Sequence, residues 1–316
     1  MRKPDFFIVG APKCGTTALF KYLQVHPEVY LPKKEFHHFG HDLRPAAYTG
    51  HKWDRAAYLA LFEGATAEKR LGEASVWYLY SKQAAREIKA FNPEADIIIL
   101  LRDPVEMMYS LYGLFLWVHD LTPNGVIEAE SGRVLSFEEA LRTQEQRKAA
   151  FLNTIDQEAL AGKRVLRLFH TDAACYADQV QRYLDVFDRA HVHVILYDDL
   201  KADTAATYRD TLRFLGVDPT FEADFRVINS HRYIRNMPLH RFLNDHESMG
   251  WVRAIGRAVA PAALRKRVFG LLSRTNVQHQ PRPPMNPETR RWLQDVFRPD
   301  IERLGTLLDQ DLAARW

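Results

Sequence analysis

The segment Asp96-Ile97-Ile98-Ile99-Leu100-Leu101 constrains this chain most, because it carries no polar side chain from 97 to 101. A half-buried strand alternates apolar and polar residues; this run does not, so both of its faces must be covered. A central strand of a parallel sheet, with helices on either side, meets that demand. Phe6-Phe7-Ile8-Val9 is a second run of the same kind, and Val192–Leu196 reads as a third strand. Helix starts follow the strands. Past Leu101, Asp103 suits an N-cap, Pro104 the first helical position and Glu106 the third. Thr16–Val25 is compatible with a helix, and Asp203–Leu215 reads as a helix closed by Gly216. Strands alternating with helices predict an α/β fold of three layers with a mainly parallel central sheet. We expect one domain over 1–316, with an α/β body at 1–225 and a basic loop and C-terminal helices at 226–316. The expected loops are His41–Lys52, Leu121–Arg133 and Thr275–Pro287, the last holding four prolines.

Composition narrows the class further. The 47% hydrophobic and 26% charged content excludes a disordered chain. No apolar run approaches the roughly 20 residues of a membrane span. Phe6–Ala11 is shorter than the apolar part of a signal peptide. Two cysteines, Cys14 and Cys175, do not make a disulfide framework, and a reducing, cytoplasmic setting is expected.

Gly10-Ala11-Pro12-Lys13-Cys14-Gly15-Thr16-Thr17 follows the first strand and nearly fits the phosphate loop G-x-x-x-x-G-K-[ST]. The glycines have the right spacing, but Thr16 stands where that pattern has lysine, and Lys13 lies three residues earlier. A strand-loop-helix of this form still aims backbone N–H groups and a helix N-terminus at an anion. It sits where ligands of parallel sheets bind, at the carboxyl ends of strands, and Arg102 should share that edge.

Pro12-Lys13-Cys14-Gly15-Thr16-Thr17-Ala18-Leu19 resembles the 5′-phosphosulfate loop of the sulfotransferases, which use 3′-phosphoadenosine 5′-phosphosulfate (PAPS) and release 3′-phosphoadenosine 5′-phosphate (PAP). Ile99-Leu100-Leu101-Arg102-Asp103-Pro104, with Ser110 eight residues past Arg102, resembles that family's 3′-phosphate segment. Val194–Leu200 is similar to the strand and turn before its late helix. The resemblance runs from Phe6 to Gly216. It implies that Lys13 contacts the oxygen bridging phosphate and sulfate. Cys14, Gly15, Thr16, Thr17 and Ala18 would form the 5′-phosphate loop, and Arg102 and Ser110 would hold the 3′-phosphate. Tyr197 would stack on adenine, and no metal is needed. Sulfuryl transfer builds negative charge on the bridging oxygen, so an ammonium there favours the transition state over the ground state.

The acceptor must lose a proton, which calls for a general base. Lys33-Lys34-Glu35-Phe36-His37-His38-Phe39 resembles the glycan-modifying branch, where an acidic residue is the base, and this points to Glu35. Small-molecule sulfotransferases use a histidine, so His37 and His38 compete. His37, His38 and His41 have no tetrahedral metal spacing. In Gly72-Glu73-Ala74-Ser75-Val76-Trp77-Tyr78 the glycan types carry Lys-Thr-Pro after the acid, and this chain does not. Glu73 is a second candidate base or acceptor contact, and Trp77 and Tyr78 are candidate pocket residues, although aromatic residues after a strand more often belong to the core. Asp198-Asp199 reads as a turn and helix-start pair.

Charge is uneven: 27 basic and 32 acidic residues over 1–225, but 16 and 8 over 226–316. Arg232 and Arg235 are candidates to close over the nucleotide, as a basic loop does in sulfotransferases. Arg253, Arg257, Arg265, Lys266 and Arg267 fit the solvated face of an amphipathic helix that could attract an acidic acceptor, the nucleotide or a membrane surface. No nucleic-acid-binding module accompanies them. The expected partners are a nucleotide donor and an acceptor hydroxyl, or an amine, of a carbohydrate or small molecule. Oligomeric state is not readable. A P-loop kinase and a non-catalytic nucleotide-binding scaffold are the rival functions.

Overall fold

The computed structural model describes residues 2–43, 54–117, 126, 128, 133–153, 171–225, 232–234, 277–279 and 283–316. Its centre is a parallel sheet of β1 (Phe6–Gly10), β2 (Val29–Tyr30), β3 (Arg70–Ala74), β4 (Asp96–Leu101) and β5 (Val192–Leu196), in the order β2-β3-β1-β4-β5. The helices are α1 (Thr16–Gln24), α2 (Arg55–Ala60), α3 (Ala84–Phe91), α4 (Pro104–Trp117), α5 (Phe137–Arg142) and α6 (Gln144–Asn153). They continue with α7 (Ala177–Leu184), α8 (Tyr197–Ala202), α9 (Thr204–Phe214), α10 (Pro287–Leu308) and α11 (Leu312–Arg315).

The two apolar runs occupy the middle of the sheet as β1 and β4, paired Phe6↔Asp96 through Ile8↔Ile98, and Ile97–Leu101 are fully buried. Their lack of alternation is thus explained by helices on both faces. The chain builds one side of β1 with β2 and β3, then crosses to the other for β4 and β5. That reversal leaves a crevice above the carboxyl end of β1.

The opposite edge is stapled by ion pairs. Arg70, which opens β3, bonds Asp5 before β1 and Asp96 at the head of β4, each at 2.6 Å. His191, just before β5, meets Asp96 at 2.7 Å. Charges at this edge fix strand ends, and the other edge is left for ligands.

The predicted helix starts hold. Asp103 accepts from the Val105 N–H at 2.8 Å ahead of α4, and Asp203 caps α9 through Ala206 at 2.9 Å. Asn286 caps α10, which packs on α4 and α7 and so returns the end of the chain to the body. Among the elements that sequence reading did not single out are two strands. The strand β2 is two residues long, too short to carry a period. The expected loop Thr275–Pro287 contains the strand Val277–His279, which pairs antiparallel with Arg232–Ile234.

Candidate active site

The turn after β1 is shaped by close approach. A Cβ on Gly10 would lie 2.5 Å from the Leu79 Cβ and 2.8 Å from the Val76 carbonyl oxygen, so only glycine lets segment 75–79 cross the strand end. The Leu79 N–H donates to the Val9 carbonyl at 2.7 Å, and the Ala11 N–H to Leu100 at 2.7 Å, which ties the loop to both neighbours of β1. Lys13 and Gly15 take left-handed conformations, at φ 65° and 91°, and α1 begins at Thr16. Gly15 also faces α8: its Cβ would stand 3.0 Å from Leu200 and from Tyr197. The loop is therefore in contact with the residue expected to meet adenine.

Cys14 is fully buried, with its Sγ 3.7 Å from the Tyr176 hydroxyl. Burial pushes its thiol up to about 12, against the smaller pull of Tyr176 and of the Arg102 and Lys13 charges. A thiol so held is a packing element of the loop, contributing shape and no nucleophile. Ala18 is half-buried on α1.

Arg102 stands at the tip of β4. Its guanidinium lies 4.8 Å from the Tyr197 ring centre and 3.4 Å from Glu106, so its plane is held by one aromatic face and one carboxylate. Glu106 also receives Arg290 from α10. Ser110 is buried on α4, unlike an ordinary helix-surface serine.

Beyond β2 the chain runs beside the end of β3. Lys34 bridges to Ala74, and the Glu35 N–H donates to the Ala74 carbonyl at 2.7 Å. This register delivers Lys34 and Glu35 to the edge that carries Lys13. Glu35 and His37 have φ of 63° and 51°. Along with Lys13, three of the four left-handed non-glycine residues among those described thus gather here, where such backbone strain often accompanies a site. Glu35 Oε2 accepts from the Val76 N–H at 3.3 Å and lies 3.3 Å from His37 Nε2, so the two base candidates touch. Burial raises the Glu35 pKa above the usual carboxylate range, opposed by Lys34 and the Val76 N–H.

The remaining predicted residues lie apart from this edge. His38 is buried and stacked on Tyr58, with ring centres 3.9 Å apart, and His41 bonds Glu87, so the three histidines turn to different partners. Glu73 is fully buried behind Glu35. It accepts from the hydroxyls of Tyr58, Tyr78 (2.5 Å) and Ser75 (2.8 Å), and burial raises its pKa to about 7. Ser75 Oγ in turn accepts from the His37 N–H at 3.1 Å, and the Tyr78 hydroxyl from the Phe39 N–H at 3.1 Å. Glu73 and Tyr78, expected at the acceptor, instead form the buried hub that holds segment 35–39. Trp77 is half-buried and packs edge-on against Tyr80. The carboxylates of Asp198 and Asp199, in the first turn of α8, receive the Trp316 indole (2.9 Å) and Arg315 respectively. Arg232 lies in the short strand Arg232–Ile234; Arg235 and the basic stretch from Arg253 to Arg267 lie outside the described residues.

Sequence reasoning did not single out Lys34, whose Nζ donates to Thr16 Oγ1 at 3.2 Å and Thr17 Oγ1 at 3.0 Å. The available clue was Thr16, a polar residue where phosphate loops carry a cation.

A parallel sheet with a strand-loop-helix at its topological reversal is the architecture in which α/β proteins place their ligand sites, and comparison with known proteins narrows the class. The sulfotransferase domain matches residues 3–305, and the chain belongs to the sulfotransferase family. Carbohydrate sulfotransferase 15 of Mus musculus is 27% identical over 260 residues, covering 69% of this chain and 45% of that protein. Bifunctional heparan sulfate N-deacetylase/N-sulfotransferase 4 of Mus musculus is 26% identical over 310 residues, 96% of this chain and 30% of the relative. The chain therefore spans less than half the length of these two relatives. Among solved structures, a sulfotransferase from Alicyclobacillus acidocaldarius superposes with a TM-score of 0.65 at 30% identity, covering 99% of both chains. Among the described residues no helix is long and apolar enough to cross a membrane. The cytoplasmic expectation draws no support from the relatives, one of which, from Dictyostelium discoideum, is named a membrane-associated sulfotransferase.

Proposed function

We propose that this protein transfers a sulfuryl group from PAPS to a hydroxyl, or an amine, of a carbohydrate or small molecule, and releases PAP. One observation carries the reading: the β1 loop with Lys13 and the β3 edge with Glu35 share one end of the sheet, joined through the Lys34 contacts to Thr16 and Thr17. Family membership makes PAPS the donor. The carbohydrate and heparan sulfate relatives favour a glycan acceptor.

In this reading the N–H groups and hydroxyls of Gly15, Thr16 and Thr17 hold the 5′-phosphate, in the loop closed by Cys14 and Ala18. Arg102 and Ser110 hold the 3′-phosphate, Tyr197 offers its ring to adenine, and Arg232 and Arg235 complete the nucleotide pocket. The acceptor oxygen forms a bond to sulfur as the bond from sulfur to the 5′-phosphate oxygen breaks. That oxygen leaves with the electron pair beside Lys13, and the acceptor proton passes to Glu35. A raised pKa suits Glu35 to this work, since a base titrating nearer neutrality accepts a proton more readily. His37, against the same carboxylate, steadies it. Trp77, next in the chain after the Val76 that donates to Glu35, is the candidate acceptor contact.

Calorimetry with PAP, ATP and GTP tests the donor, with PAP expected to bind tightly. Binding of ATP with no response to PAP would overturn the proposal and favour a kinase. Incubating carbohydrate and small-molecule acceptors with PAPS, and reading the mass gain of one SO₃, tests the acceptor class.

A further inference from the structure

Position 16 is where the pattern G-x-x-x-x-G-K-[ST] places the lysine of a phosphate loop. Here Thr16 occupies it, and the cation arrives through space. Lys34 Nζ hydrogen-bonds both Thr16 Oγ1 (3.2 Å) and Thr17 Oγ1 (3.0 Å) from a segment 18 residues along the chain. It stands 3.7 Å from Glu35 Oε1, too long for a hydrogen bond but close enough for an ion pair. Only 15% of its side chain is exposed, and its backbone is fixed by the bridge to Ala74.

A lysine in such a place has an electrostatic cost unless an anion completes its shell. Burial lowers the Lys34 pKa, and Glu35 raises it in part. A single carboxylate at ion-pair distance leaves room for a stronger anionic partner. The position of the ammonium says which anion. On one side are the hydroxyls of the helix start that would hold the 5′-phosphate. On the other is the carboxylate that would take the acceptor proton. In an in-line displacement the group being transferred lies between donor phosphate and acceptor, and so between these two.

We propose that Lys34 is a second catalytic lysine whose ammonium contacts the oxygens of the transferred sulfuryl group. This rests on the reading of the protein as a PAPS-dependent sulfotransferase. Lys13 and Lys34 then divide the work. Lys13 meets the charge that grows on the bridging oxygen, and Lys34 holds the sulfuryl group on line and keeps Glu35 ionised beside it. Lys34 takes part in no bond change. The S–O bond to the acceptor forms, the S–O bond to the phosphate breaks, and the proton goes to Glu35.

PAPS and PAP differ by the sulfuryl group alone, so calorimetry without acceptor isolates the contact. The variants are Lys34→Met, which keeps length and removes charge, and Lys34→Gln, which keeps a donor for the threonine hydroxyls. Both are expected to weaken PAPS about tenfold or more, the loss of a charge-assisted hydrogen bond, with PAP changed less than about threefold. PAP binding also reports that the variants are folded. Equal losses for the two ligands, or PAPS binding like the wild type, would overturn the assignment. A wild type that binds neither ligand would instead overturn the donor reading, and the Lys34 role with it. A separate readout is the acid limb of the pH–rate profile. Without the Lys34 charge it should move to higher pH, because Glu35 loses the cation that favours its ionised form; an unmoved limb would count against the ion pair.

Discussion

Glu73 is a carboxyl group with no access to water, and its titration should be visible in the stability of the whole chain. The group ordinarily titrates at 4.5; in the fold, desolvation raises this to about 7 despite three hydroxyl donors. The folded protein thus binds the proton more tightly than the unfolded chain. Between pH 4.5 and 7 it holds more protons, so stability falls as pH rises through that window and levels off above it. A displacement of this size corresponds to about 3 kcal/mol, a large share of the 5–15 kcal/mol that holds a typical domain together. Glu73→Gln removes the titration and keeps the shape, since its carbonyl can still accept from Ser75 and Tyr78 and its amide can donate to the Tyr58 oxygen. Urea denaturation of both proteins at pH 5 and pH 8 reads the effect. The variant should gain about 2.5 kcal/mol on the wild type between those two values. A stability difference unchanged across the range would show that Glu73 is ionised throughout and refute the reasoning. Glu73→Ala removes the contacts as well as the charge: it strands three buried hydroxyls and should cost about 3–6 kcal/mol at pH 5, and less at pH 8 by the same amount that Glu73→Gln gains.

Further substitutions test the rest of the site. Glu35→Gln should lower turnover by about 10²–10⁴-fold, the usual worth of a general base, with PAP affinity retained; full activity in this variant and a dead His37→Ala would transfer the role to His37. Wild-type activity should fall with decreasing pH through a Glu35 pKa above 4.5, so an acid limb at or below that value would contradict its raised position. Arg102→Ala should weaken PAP about 10–100-fold in calorimetry while barely affecting adenosine 5′-phosphate, and equal losses would argue against the 3′-phosphate role. Gly15→Ala puts a Cβ at φ 91° and 3.0 Å from Tyr197 and Leu200. It should cost about 1–3 kcal/mol in thermal or urea unfolding and weaken PAP; wild-type stability would show that the turn relaxes freely.

The fold was legible where burial leaves a simple mark in sequence. Ile97–Leu101 and Phe6–Val9 are apolar on every side chain because helices cover both faces, and Asp103, Pro104 and Asp203 are helix starters by their own chemistry. The β1 loop was legible for the same reason: an anion cradle needs glycine at fixed places, and glycine is visible in one letter. β2 was not, because two residues carry no period, and its place is fixed by pairing with Arg70 and Leu71 across a long separation. Glu73 and Tyr78 read as acceptor contacts because an acid and an aromatic after a strand look alike whether they face a cleft or a core. The three hydroxyl bonds that bury Glu73 come from positions 58, 75 and 78, and nothing in their spacing announces the hub.

The charge distribution shows why the cations that matter are few. The excess of Arg and Lys lies beyond residue 225, yet Lys13, Lys34 and Arg102 all belong to the half of the chain where acids outnumber bases. Two of them are coupled to neighbours that fix the head group: Lys34 to two threonine hydroxyls and Glu35, Arg102 to Glu106 and the Tyr197 ring. Surface cations left to solvent attract anions at long range and are screened within about 10 Å at ordinary salt. A phosphosulfate is instead oriented to ångström accuracy by donors whose geometry is set before it arrives, because the ordering has already been done in folding. In the proposed reading the acidic partners of these residues would therefore assist binding: Glu106 and Glu35 would sacrifice some positive potential and return a fixed direction. Neutralising Glu106 tests this balance. If prior orientation outweighs lost charge, Glu106→Gln, which keeps an oxygen acceptor for one of the two arginines, should hold PAP affinity within about threefold, while Glu106→Ala should weaken it about tenfold. Tighter PAP binding in both variants would mean that net charge governs the site and that the carboxylate merely opposes the ligand.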